Sequence, residues 1–257
     1  MSPHRSLALA RHELRLLRRD PFPLVILVLM PLALMPFMKS SLRLALVQEG
    51  YPGANGAEQV VPGMTVTFSF FLVGMVAMSF FDEHGWHTWD RLRVSAARPL
   101  EVLVGKTLPR LAVAYLQFAV VMTVGVTVFG LDIRGSVPAL GLLLLGLALC
   151  LGAMGLLLTA VCRTVQQANA LSNVGSMVLA GIGGALVPFA LIPAWARAVA
   201  PATPSYWAMR GSRSVILDGG SFPEVLLPTA ALLAFATAFV LLALWRFRFD
   251  ETKQGWS

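Results

Sequence analysis

The sequence predicts an all-α membrane protein, with six transmembrane helices preceded by an N-terminal amphipathic interfacial helix. Three observations carry that expectation. Of 257 residues, 57% are hydrophobic and only 13% are charged, about half the ~25% charge content of soluble domains. The mean hydropathy is +0.73. The charges cluster, leaving uncharged runs long enough to cross a ~30 Å hydrocarbon core, which takes about 20 helical residues.

Residues 5–19 come first. Leu7, Ala10, Leu14 and Leu17 fall on one stripe at spacings of three and four, with Arg11, Arg15, Arg18 and Arg19 mostly off it. That pattern fits a helix lying in the membrane interface, with its arginines toward lipid phosphates. Asp20-Pro21 ends it, because a residue before proline avoids the helical region. Five arginines precede Pro21, and no small-residue cleavage site follows the first apolar run, so no cleaved signal peptide is expected.

Six uncharged runs follow, at 21–38, 60–81, 111–131, 135–162, 164–196 and 225–245. The first is short and holds Pro31 and Pro36, so it needs a kink or snorkelling by Lys39 and Arg43. The fifth is too long for one crossing, and Gly181, Gly183, Gly184, Pro188 and Pro193 break its second half. The span is placed at 167–188, with irregular backbone after it that must sit against protein or water. Lys and Arg fix the orientation. With both termini inside, the cytoplasmic segments hold fourteen of the twenty basic residues. The chain reads as one transmembrane domain over 1–257, in a cell membrane.

The excluded functions matter as much. The six runs contain no Asp, Glu, Lys, Arg or His. Ion-coupled carriers usually need an ionisable residue at depth, and an intramembrane enzyme needs a catalytic group or metal ligands. No catalytic residue is assigned. The net charge of +7 does not point to nucleic acid, because the basic residues flank apolar runs instead of forming a patch. Gly105-Lys106-Thr107 resembles the tail of a phosphate loop, but Leu100 stands where the leading glycine belongs. The chain is not expected to bind ATP-Mg or any other cofactor. His84 and His87, with Asp82, Glu83 and Asp90 nearby, are read as membrane-proximal polar residues, and no metal is assigned. Cys150 and Cys162, about 18 Å apart on one helix, are read as core packing.

Small residues recur at Ser176, Ala180 and Gly184, and at Gly152 and Gly155, where helices can approach closely within the chain or between subunits. Asn169, Ser172 and Asn173 suit interhelical hydrogen bonds or a substrate path. Two segments are more specific. The loop 82–110 contains Glu83-His-Gly-Trp-His-Thr-Trp-Asp-Arg-Leu92, then Arg98-Pro99 and Gly105-Lys106. The outer segment 189–224 runs through Ile192-Pro-Ala-Trp195 and Pro204-Ser-Tyr-Trp207 to Arg210-Gly211.

In the order and spacing of these parts the whole chain resembles the type-2 permeases of ATP-binding-cassette (ABC) transporters, drug and polysaccharide exporters among them. The resemblance implies a coupling loop that docks on a separate cytosolic ABC ATPase, the subunit that binds ATP-Mg. It places Glu83, Thr88, Arg91 and Leu92 on that loop. Trp86 and Trp89 supply apolar area for docking, or else sit at the headgroup layer. It places Pro193, Trp195, Pro204 and Arg210 on an extracytoplasmic cap. His87 and Ala96 depart from the family pattern, where a small residue and a proline are common. The resemblance further implies a second permease copy or similar partner, surrounding membrane lipid, and an amphipathic drug, lipid or glycan as cargo. A membrane-embedded enzyme or scaffold without transport activity is the alternative.

Overall fold

The computed structural model describes residues 3–19, 22–85 and 99–246. The described residues are helical, with no strand among them. In chain order the α-helices are α1 (Pro3–Arg19), α2 (Phe22–Gln48), α3 (Ala57–Ser69), α4 (Phe71–Gly85), α5 (Pro99–Thr127), α6 (Val137–Val161), α7 (Val165–Ile182), α8 (Ala194–Val199), α9 (Pro204–Ile216) and α10 (Phe222–Arg246). Two 3₁₀ turns, Phe189–Leu191 and Ala200–Ala202, flank α8.

Among the described residues, five stretches are long and apolar enough to cross a membrane: Leu24–Gln48, Ala57–Glu83, Glu101–Thr127, Val137–Val161 and Phe222–Arg246. The sixth expected span is α7. Its 18 residues reach about 27 Å, but Gln166, Gln167, Asn169, Ser172 and Asn173 make its first half too polar to join that group. Burial ranks the helices. The Ala57–Glu83 stretch is 72% buried and the core of the bundle, whereas α2 and α10 lie at its edge, at 17% and 22%. The outer face of α2, with Leu29, Met30 and Phe37, is exposed.

Several helices outrun their uncharged sequence. α2 passes through Pro31 and Pro36 and on to Gln48. Pro31 has no N–H for the carbonyl of Leu27 four residues back, and the buried amide of Gln117 in α5 donates to that carbonyl at 3.3 Å. Beyond Met38 the buried stripe continues through Leu42, Ala45 and Leu46, and Lys39 donates to the carbonyl of Phe129 at 2.6 Å. Burial therefore continues where hydropathy fails.

The second crossing is interrupted at Phe70, between α3 and α4. Thr65, Thr67 and Ser69 turn their hydroxyls back onto the carbonyls of Val61, Gly63 and Val66, a pattern that bends helices. Gly155 of α6 is required by close approach to α4. A Cβ there would stand 2.7 Å from the Val76 Cβ and 2.9 Å from the Val73 carbonyl oxygen. Gly152 likewise faces Leu111, so this small-residue pair packs within the chain. Cys150 and Cys162 are buried free thiols.

Candidate functional site

α1 does not lie alone on the membrane. It packs along α5, burying Ala10 and Glu13 while Leu14 is 39% exposed. The buried stripe is thus rotated from the one expected. Glu13, the one acid of α1, lies on it.

Glu13 meets a cation from α5. Lys106 is 1% exposed, and its ammonium donates to Glu13 Oε1 at 2.7 Å, Glu83 Oε1 at 2.7 Å and the Ser79 carbonyl at 3.1 Å. Those three bonds use all three protons of the ammonium. The group also lies 5.8 Å from the centre of the Phe80 ring. One turn along, Arg110 pairs with Glu13 Oε2 at 2.9 Å and donates to the carbonyls of Met75 and Lys106 at 3.0 and 2.8 Å. Two cations and two carboxylates close on each other, and α1, α4 and α5 are tied at one point. Burial alone would raise the Glu13 carboxyl pKa, but Lys106 and Arg110 outweigh it and hold the group below its ordinary value.

This clamp sits at the base of the long loop, because Glu83 is near the end of α4 and Lys106 near the start of α5. Glu83, expected as a docking contact, points its carboxylate inward at Lys106. Trp86, Thr88, Trp89, Arg91 and Leu92, together with His87, Asp90 and Ala96, lie outside the described residues. Gly105-Lys106-Thr107 is mid-helix, with Lys106 fully engaged by protein. Sequence reasoning missed its role. The available signal was a lone glutamate at spacing three from Ala10 on the apolar side of a basic helix.

The Asn169–Asn173 group divides. Ser172 is buried against α4, where Gly74 leaves room for its hydroxyl. Asn169 is half-buried and Asn173 exposed, beside exposed Leu171, Val174 and Met177. Ser176 is half-buried with no partner for its hydroxyl.

At the other end of the bundle, residues 183–220 cover the tops of α2, α3 and α6. Pro193 precedes α8, and Pro204 starts α9, capped by the Thr203 hydroxyl. Pro204 is buried, Trp195 is 68% exposed, and the Arg210 guanidinium lies 5.5 Å over the Trp207 ring. Arg213 pairs with Glu49 at 2.6 Å, and the Tyr51 hydroxyl donates to Asp218 at 2.8 Å. Burial works against the Arg213 charge, but the bond to Glu49 outweighs it and raises its pKa. The bond to Asp218 raises that of Tyr51. Between these groups lies an open cavity of about 450 Å³.

The sequence model of the ABC-2 type transporter family matches residues 5–217. The chain is 24% identical over 189 residues to the linearmycin resistance permease protein LnrN of Bacillus subtilis, covering 74% of this chain and 49% of that one. It is 28% identical over 163 residues to the "Probable multidrug ABC transporter permease YbhR" of Escherichia coli, covering 57% and 44%. A third similarity, 25% over 171 residues, is to ABC transporter G family member 20 of Dictyostelium discoideum, covering 66% and 23%. The chain spans about half the length, or less, of these relatives. With the family match extending over most of its length, this multi-pass membrane protein belongs to the ABC-2 type transporter family.

Proposed function

We propose that the chain is the membrane-spanning permease subunit of an ATP-driven exporter, powered by a separate cytosolic ATPase that binds ATP-Mg. The observation that carries this reading is the buried clamp of Glu13, Glu83, Lys106 and Arg110 beneath the loop, in a chain of this family. A motor pushing on the loop needs rigid transmission. Removing one partner of a buried ion pair costs about 3–5 kcal/mol, so α1, α4 and α5 move together when the loop moves.

In this reading Trp86, Thr88, Trp89, Arg91 and Leu92 form the docking surface, while Glu83 anchors its first end from inside. The break at Phe70 lets α4 swing against α3, and the bundle rocks between inward- and outward-facing states. Six crossings, counting α7, put both termini in the cytoplasm of a cell-membrane protein. The segment 189–224 is then an extracytoplasmic cap carrying Pro193, Trp195, Pro204 and Arg210. A second permease, identical or similar, faces Asn169 and Asn173 across the path. An amphipathic drug, lipid or glycan is the cargo, in keeping with the resistance and multidrug names of the relatives.

The test is at the loop. Trp89→Ala should leave the chain inserted and folded while co-purification with the ATPase drops. Single cysteines along 86–92 should cross-link to that subunit. Undiminished co-purification of the variant, with no cross-link at any position, would refute the docking role.

A further inference from the structure

The far-end cavity has the makings of a binding site distinct from a path between subunits. Three arginines line it (Arg197, Arg210 and Arg213) against two carboxylates, Glu49 and Asp218. Arg213 is neutralised by Glu49, and Asp218 accepts from Tyr51. Arg197 and Arg210 have no ion-pair partner among the described residues, and both are exposed. Stacking over Trp207 does not neutralise Arg210, so two guanidinium groups without an ion-pair partner among the described residues call for an anion, and guanidinium is matched to phosphate.

Gln59 stands in the same wall, 0% exposed. Its amide nitrogen donates to the carbonyl of Gly184 at 3.0 Å, which fixes the orientation of the amide, since the reverse would set two oxygens together. Its Oε1 has no partner, and neither does Oε1 of Glu49. A buried acceptor left unsatisfied is costly, so both acceptors favour a ligand that brings hydroxyl or amine protons. A phosphate alone answers the arginines, whereas a phosphate with a neighbouring hydroxyl answers both sets. The volume of about 450 Å³ is within the ordinary range for a small-molecule site.

The surroundings select an amphiphile over a free ion. On α8, Trp195 and Val199 lie on one face, and Arg197 is about 200° round from Trp195. Trp195, Val199 and Leu191 are 68%, 50% and 55% exposed. Tryptophan in such a position favours the membrane interface. One short helix thus offers an apolar side to acyl chains and a cation to a headgroup. We propose that this cavity binds the headgroup of a phosphodiester amphiphile that carries a hydroxyl donor, with Arg197 and Arg210 on the phosphate and Gln59 on the hydroxyl.

The site belongs to a single chain, so it is testable by binding, and its failure is distinguishable from failure of the transport reading. The full chain, purified in a non-ionic detergent, is titrated calorimetrically with three probes. These are dihexanoyl phosphatidylglycerol, dihexanoyl phosphatidylmethanol (an anionic phosphodiester of the same charge without a hydroxyl) and inorganic phosphate. The glycerol headgroup should bind about tenfold more tightly than the methyl one. The double variant Arg197→Gln/Arg210→Gln, at exposed positions, should weaken it by about tenfold or more. Gln59→Met should erase the preference between the two lipids. Unchanged phosphatidylglycerol affinity in the arginine double variant would overturn the site. Inorganic phosphate binding as tightly as the lipid would overturn the amphiphile assignment, and equal affinity of both lipids for the unmodified chain would overturn the role of Gln59.

Discussion

Replacing Lys106 by Met tests whether the clamp holds the near end of the bundle together. The substitution keeps most of the side-chain volume and removes three hydrogen bonds, leaving Glu83 Oε1, one oxygen of Glu13 and the Ser79 carbonyl without their ammonium. Arg110 still holds Glu13 Oε2, so Glu13 keeps a cationic partner while Glu83 loses its bond to Lys106. Breaking a buried pair in this way costs about 3–5 kcal/mol. For a chain of this size 1 kcal/mol shifts the unfolding midpoint by about 2–4 °C, so a fall on the order of 10 °C is expected in detergent. Neutralising Glu83 as well should recover much of it: in Lys106→Met combined with Glu83→Gln, Glu13 keeps its pair with Arg110 and no charge on Glu83 faces the missing ammonium. A midpoint for Lys106→Met within about 2 °C of the unmodified chain, or a double variant less stable than the single one, would refute the clamp.

The Glu13 carboxyl has a folded pKa below its ordinary value of 4.5, so its stabilising effect is fully present above that value. It is lost as pH falls through the depressed folded value. Unfolding midpoints measured from pH 7 downward should therefore fall at the acid end, and less so in Glu13→Gln; equal acid sensitivity in both would remove Glu13 as a source. Gly155→Val should destabilise by about 1–3 kcal/mol by overpacking, because even a Cβ meets the Val73 carbonyl oxygen at 2.9 Å, and thermal unfolding of the purified variant reads this directly. For topology, single cysteines at Pro52 and Ala202, both exposed at the far end, should react with an impermeant thiol reagent in intact cells. Cysteines at Ser2 and Thr252 should not. Labelling at either terminus would overturn the orientation.

Most of the helical plan was legible in the sequence because hydropathy reports burial in lipid directly. Runs without charge marked the crossings, and the glycines and prolines after Leu179 marked where α7 must stop. Helix ends were less legible. Lys39, Lys106 and Arg110 are charged, and the uncharged-run criterion halted at them. Yet α2 and α5 include them, because each charge finds a carbonyl or carboxylate on a neighbouring helix. Such partners are remote in sequence: Lys106 and Glu13 are 93 residues apart. The break at Phe70 left a local signal in Thr65, Thr67 and Ser69, whose spacing of two is invisible to a hydropathy window. Ser172 was legible as polar and near α4's end of the bundle, but only packing against Gly74 separates it from Asn173.

The two ends of the bundle handle charge in opposite ways, and the difference bears on how motion crosses it. At the near end Glu13, Glu83, Lys106 and Arg110 sum to zero and bond to one another and to nearby backbone carbonyls, so they offer little to a ligand and much to rigidity. At the far end Arg197 and Arg210 are left open and Gln59 keeps an unused acceptor, so bonding capacity is reserved for something outside the chain. Between them the Ala57–Glu83 stretch is the most buried of the spans, and it is interrupted once, at Phe70. Displacement of the clamp can reach Gln59, at the start of α3, through that interruption or through α5, which packs on α3 directly. Gln59 is bonded to Gly184 at the end of α7, and α4 packs on α7 through Ser172. A shift of α4 relative to α3 thus pulls on the middle of α7 and on the residues just past its end at once, and the shape of the far-end cavity depends on the position of the near-end clamp. Headgroup affinity should then change when the clamp is loosened. In Lys106→Met, phosphatidylglycerol binding at a temperature where the variant remains folded should differ from that of the unmodified chain by more than about threefold. Identical affinities would mean that neither route carries the displacement and that the two ends act independently.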